Sequence, residues 1–95
     1  MRCKVIESPD YLVEFEEWNG LTFVHCTVHR WSKTIKQQLQ YEFNILRILR
    51  GAPIYALHEI DDPKHRKFLS LFNFEFLQDV EGHDGVTRQV FITGN

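Results

Sequence analysis

Residues 32 to 53 place the strongest constraint on this chain. Ser32 is a natural helix N-cap, and Ile35, Leu39, Phe43, Leu46 and Leu49 follow at spacings of three and four, which draws an apolar stripe down one side of a helix. Ile45 and Ile48 widen the stripe. Gly51 supplies the stop and Pro53 bars continuation, so the spacing predicts a helix over Lys33 to Arg50. Its other side carries Lys36, Gln37, Gln40, Arg47 and Arg50, a solvated face. The helix is flanked by Leu21 to His29, which alternates as a strand does, and by the short apolar run Pro53 to His58, of the kind a buried strand gives. Strand, helix and strand in that order form a right-handed parallel crossover.

The rest of the chain adds to this unit. Cys3 to Glu7 reads as a short strand stopped by Ser8-Pro9-Asp10, where proline removes a donor and the turn residues favour a bend. Tyr11 to Trp18 alternates as a second strand, and Asn19-Gly20 is the strongest short-range hairpin signal, because both central residues of a type I′ turn need positive φ. Trp18 should therefore lie close to Leu21 on an antiparallel neighbour. Downstream, Asp61-Asp62-Pro63 opens a second helix with a carboxylate at the N-cap and proline at its first position. Phe68, Leu69, Leu71 and Phe72 form its buried side. Glu75 to Val80 and Thr87 to Thr93 then pair across the loop Glu81 to Gly85, with Phe74 and Phe76 on one buried face. The expected fold is α/β (α+β), with the order βββαβαββ: a mixed sheet of six strands and two helices.

At 95 residues and 43% hydrophobic content, the chain can bury one modest core, so residues 1–95 are expected to form a single domain. A formal charge of −2 gives no electrostatic reason to expect nucleic acid. Two cysteines, and no apolar leader or run long enough to span a bilayer, fit a cytoplasmic, reducing setting with no membrane partner.

Residues Asp62 to Leu77 resemble the last helix-to-strand corner of the GNAT acetyltransferase fold, and the order of elements is similar to that fold with its first strand and first two helices missing. The resemblance is nearest to small GNAT-like proteins encoded by bacteriophages, among them an internal virion protein of short-tailed phages, and it implies a phage source. It also implies acetyl-CoA as cofactor if the chain is active. In that family the pyrophosphate sits on backbone N–H groups at the start of the long helix, in a motif of Gln or Arg, two residues, Gly, one residue, and Gly or Ala. The matching span is Arg30 to Ile35. Arg30 fits, and Arg30, Ser32 and Lys33 are the candidate cofactor-binding residues. Lys33 and Ile35, however, stand where small residues would let phosphate approach the backbone. At the corner, Asp62 falls at the family's usual Asn, Asn73 at its Gly, and Leu69 at the Tyr that often protonates the departing thiolate. Leucine has no proton to give.

The strands before and after the long helix end at His29 and His58, and the resemblance implies that these ends splay where the acetyl group would enter. His29 and His58 are therefore the candidate catalytic bases, with Glu59 beside one of them. Geometry argues against a zinc site at Cys3, His25, Cys26 and His29, since His25 and His29 on one strand lie roughly 13 Å apart. His65 and His83 read as solvated. Trp18 at the hairpin and Trp31 at the helix entry are the candidate interface residues, and the absent helices would expose the sheet edge at Cys3 to Glu7. Two functions follow. One is a protein-binding module with a degenerate acetyl-CoA site and no cofactor, serving as a virion component or as a modulator of a host protein, pairing with a host or phage protein or with itself through the exposed edge. The alternative is a minimal acetyl-CoA-dependent N-acetyltransferase with a histidine base.

Overall fold

The computed structural model describes residues 2–59 and 62–93, Glu59 by its backbone alone; Asp61 and the Glu59 side chain lie outside the described residues. The elements are β1 (Arg2–Glu7), β2 (Tyr11–Trp18), β3 (Leu21–Val28), α1 (Lys33–Arg50), β4 (Ile54–Glu59), α2 (Pro63–Leu71), β5 (Glu75–Glu81) and β6 (Thr87–Thr93). Asn19 and Gly20 have φ of 51° and 78°, and they turn β2 into β3 with Trp18 opposite Leu21. α1 begins where the Ser32 hydroxyl accepts the Ile35 N–H at 3.1 Å. It ends where Gly51, at φ 65°, donates its N–H to the Arg47 carbonyl at 3.2 Å. Asp62 caps α2 by accepting the His65 N–H at 3.0 Å, and Asn73 takes the left-handed conformation that follows that helix.

The six strands run in the order β1-β2-β3-β4-β6-β5, and β3 and β4 are the parallel pair joined by α1. These two strands meet at one register pair, Phe23 with Tyr55, near the start of each. Beyond it they diverge towards their C-terminal ends. Val13 and Cys26 alternate inward with Ile54, Ala56 and Phe91 on the far side of the divergence, and the core closes over them with Leu39 and Phe43 from α1, Leu69 from α2 and Phe72 at the C-cap of α2. Both helices lie on this one side of the sheet. The Phe43 ring meets Phe72 and Phe74 at centroid distances of 5.6 and 5.8 Å, and the Gln40 amide donates to the Leu71 carbonyl at 2.9 Å. The opposite face carries Trp18, Phe23, His25, Tyr55 and Leu57, and no helix among the described residues covers it.

Two expectations about burial are corrected. The α1 stripe does not stay on the core: Ile35, Leu39 and Phe43 are buried, whereas Ile45, Ile48 and Leu49 are exposed, Leu49 at 79%. From Phe43 the pattern takes two successive steps of three, and these rotate it by about 120° around the helix. The core-side position of the last turn falls to Arg50, which bonds the Thr22 hydroxyl and lies 5.5 Å above the Phe15 ring. Phe76 is likewise half exposed, because β5 is an edge strand with a bulge between Phe76 and Gln78.

Candidate functional site at the splay of the central strands

The divergence of β3 from β4 makes a wedge that opens beneath the two helices. Val24 and Cys26 line it from β3, Ala56 from β4, Leu39 from α1, and His65, Phe68 and Leu69 from α2. These side chains fill most of it. What remains is a cavity of about 30 Å³, room for about one water molecule. Burial pushes the Cys26 thiol up to about 11, so it is a neutral wall of the cavity at physiological pH. Leu69, the residue at the family's acid position, is fully buried in the core. Tyr41 is exposed on the outer side of α1 and Tyr55 faces the open side of the sheet, so neither replaces it.

Inward alternation on β4 places His58 on the same side as Ile54 and Ala56, and His58 is 1% exposed. Its Nδ1 lies 2.9 Å from Nδ1 of His65, in the first turn of α2, with the rings stacked at 5.1 Å. One ring donates its Nδ1–H and the other accepts. Burial holds the His65 imidazole below its ordinary value, His58 lowers it further, and Asp62 partly offsets both. His65 is thus not the solvated residue its place in a basic helix suggested. The sequence signal was that His58 shares the inward parity of Ile54 and Ala56, which aims it at whatever helix covers β4. His29, by contrast, is exposed in the bend after β3, where its N–H donates to the Asp10 carbonyl at 2.8 Å. No hydrogen bond or ring contact joins His29 to His58 among the described residues.

At the start of α1, each cofactor candidate is otherwise engaged or turned outward. The Arg30 guanidinium pairs with Asp10 at 3.1 Å, and its backbone N–H donates to the Asp10 carbonyl. The Ser32 hydroxyl takes the Ile35 N–H, while the Ile35 side chain enters the core. Lys33 is exposed. Trp31 leans over the mouth of the wedge onto Phe68, ring centroids 6.1 Å apart, and Phe68 in turn lies 4.6 Å from Phe72. A CoA pyrophosphate needs bare backbone donors and small side chains at a helix start, whereas Lys33 and Ile35 stand at the small-residue positions and the Ile35 N–H is taken by Ser32. In these respects the residues do not match that group.

The element order, the parallel pair at the centre and the helix crossing between them can now be compared with solved structures. The ribosomal-protein-S5 alanine acetyltransferase from Vibrio fischeri superposes with a TM-score of 0.67 at 10% sequence identity, covering 90% of this chain and 54% of that enzyme. The fold is a truncated GNAT-like fold. This chain spans about half the length of that enzyme. No protein-family model matches the sequence, and no curated protein does.

On the open face of the GNAT-like sheet, Trp18 is 59% exposed and meets Phe23 edge-on at 6.3 Å. With Leu57 and Val90 it borders a groove of about 320 Å³ that has Glu16 and Glu81 at its margin. His25 on this face is bonded to Glu16 at 2.8 Å. Among the described residues no group of three or more His, Cys, Asp and Glu is placed to hold a metal ion, and no helix is long and apolar enough to cross a membrane. Of the interface candidates, Trp18 is mostly exposed on the open face, whereas Trp31 is partly used in packing on Phe68. β1 is an outer strand of the sheet, exposed along most of its length.

Proposed function

We propose that this chain is a protein-binding module built on the acetyltransferase fold, with a degenerate acetyl-CoA site. The observation that carries this reading is the occupied wedge: Leu39, Phe68 and Leu69 line the space between the diverging strands and leave about 30 Å³, while Trp31 packs on Phe68 from outside. Support for a protein partner comes from the opposite face, where Trp18 and Leu57 border a groove across the uncovered side of the sheet. Large aromatic side chains of this kind are enriched at binding hot spots. The likeness to small phage proteins supports a partner of phage or host origin, with the chain acting as a virion component or as a modulator of a host protein.

Acetyl transfer is the second reading, favoured by the exposed position of His29 and by the enzyme that shares the fold. His58 has no access to an acceptor amine while it is buried beneath α2. Isothermal titration with acetyl-CoA separates the two. The module reading expects binding no tighter than the millimolar range, together with capture of a specific protein that is lost in Trp18→Ala. Low-micromolar acetyl-CoA affinity, with transfer to a peptide amine that His29→Ala abolishes, would establish the enzyme instead.

A further inference from the structure

His58 and His65 join two elements that hold the wedge shut. His58 is fixed to the sheet: its neighbours on β4 are register-paired to β6, and the Phe91 ring lies edge-on to it at 5.6 Å. His65 belongs to α2, the helix that carries Phe68 and Leu69 into the wedge. The 2.9 Å contact between their Nδ1 atoms requires one of the two to be an unprotonated acceptor. We propose that this pair is a pH-sensitive latch, holding the first turn of α2 on β4 while at least one ring is neutral and releasing it when both are protonated.

The chemistry is local. When both rings are imidazolium, both Nδ1 atoms are donors, the acceptor is gone, and two positive charges face each other across a stacked contact. Among the described residues the surroundings give little relief. Asp62, at the N-cap of α2, acts on His65 and already accepts the His65 backbone N–H, and α2 itself carries the cationic Lys64, Arg66 and Lys67. From β3 comes Cys26, a neutral thiol, and from β6 come Phe91 and Gln89, which carry no charge. His65 also sits in the first turn of a helix, where the N-terminal end of the dipole disfavours a cation. Burial of His65 therefore favours its neutral form. On acidification below the ordinary range of histidine, the least costly response is for α2 to lift, which rehydrates both rings and draws Phe68 away from Trp31.

Hydrogen exchange of the whole chain at pH 7.5 and pH 5.0, each site corrected for its intrinsic rate, tests the latch. The α2 amides Phe68 to Leu71 should lose protection by at least about tenfold at the lower pH, while Leu57 and Val90 in the β4/β6 ladder keep theirs. In His65→Gln, which can still hydrogen-bond but cannot charge, α2 should stay protected at both pH values, and His83→Gln in the exposed turn should behave as the parent. A second readout uses Trp18→Phe, which leaves Trp31 as the reporting indole: its emission should shift with the same midpoint, and the shift should vanish on adding His65→Gln. Unchanged α2 protection at pH 5.0, simultaneous loss in helix and sheet, or an undiminished response in His65→Gln would each overturn the proposal.

Discussion

The Trp31 ring rests on Phe68 across the mouth of the central wedge, tying the entry of the long helix to the middle of the short one. Trp31 is still 47% exposed, so the contact packs on the outside of Phe68 and is not part of the deep core. Trp31→Ala should lower stability by about 1–2 kcal/mol, the loss of an aromatic pair and some buried area. Urea unfolding measures this, and a change above about 4 kcal/mol would mean that the ring carries far more of the core than its exposure allows.

Two leucines on one helix should respond very differently. Leu39 is 1% exposed between sheet and helix, and Leu39→Ala should cost about 2–5 kcal/mol. Leu49 lies ten residues further along the apparent stripe but points to solvent, and Leu49→Ala should stay within about 0.5 kcal/mol. Equal losses in denaturant midpoint would show that the end of α1 is packed in solution.

The two thiols should separate in a labelling experiment. Cys3 is exposed on the outer strand, whereas Cys26 is partly buried and its thiol is pushed up to about 11. Because the thiolate is the nucleophile, iodoacetamide at pH 7.5 should modify Cys3 first and leave Cys26 largely intact. Mass spectrometry of the digested protein reads the order directly, and faster modification of Cys26 would contradict its placement in the wedge.

Stability should fall with acid in two separate windows. His65 is held below its ordinary value of 6.5, so the unfolded chain takes up its proton first. The stability His65 contributes is complete above pH 6.5 and is lost as pH drops towards its folded value. Asp84, lowered to about 2 chiefly by Arg88, acts only below its ordinary 3.8. Urea midpoints between pH 7.5 and 4.5 should therefore decline in the parent and flatten in His65→Gln. A parent midpoint that rises on acidification through pH 6 would have the wrong sign.

Much of this architecture was legible from short-range signals. Ser32 and Gly51 bounded the long helix, Asn19-Gly20 set the first hairpin, and the handedness rule made β3 and β4 parallel neighbours. These features are decided by backbone chemistry within a few residues. The departures lie where partners distant in sequence decide the outcome. Ile48 and Leu49 obey helical spacing but find no sheet beneath them, and Phe76 alternates correctly on a strand that has no outer neighbour. The His58–His65 contact joins a strand to the helix after it, and its geometry depends on how far β3 and β4 diverge. Spacing along the chain carries no record of that distance.

The sheet is two three-stranded antiparallel panels, β1-β2-β3 and β4-β6-β5, stitched by the single rung at Phe23 and Tyr55. The first panel is joined by short turns, whereas β4 reaches β6 only across α2 and β5, and reaches β3 only around α1. Both pairings of β4 therefore carry a larger loop-closure cost than the hairpins do. The seam divides the sheet into two panels, and α1 and α2 bridge them on one side only.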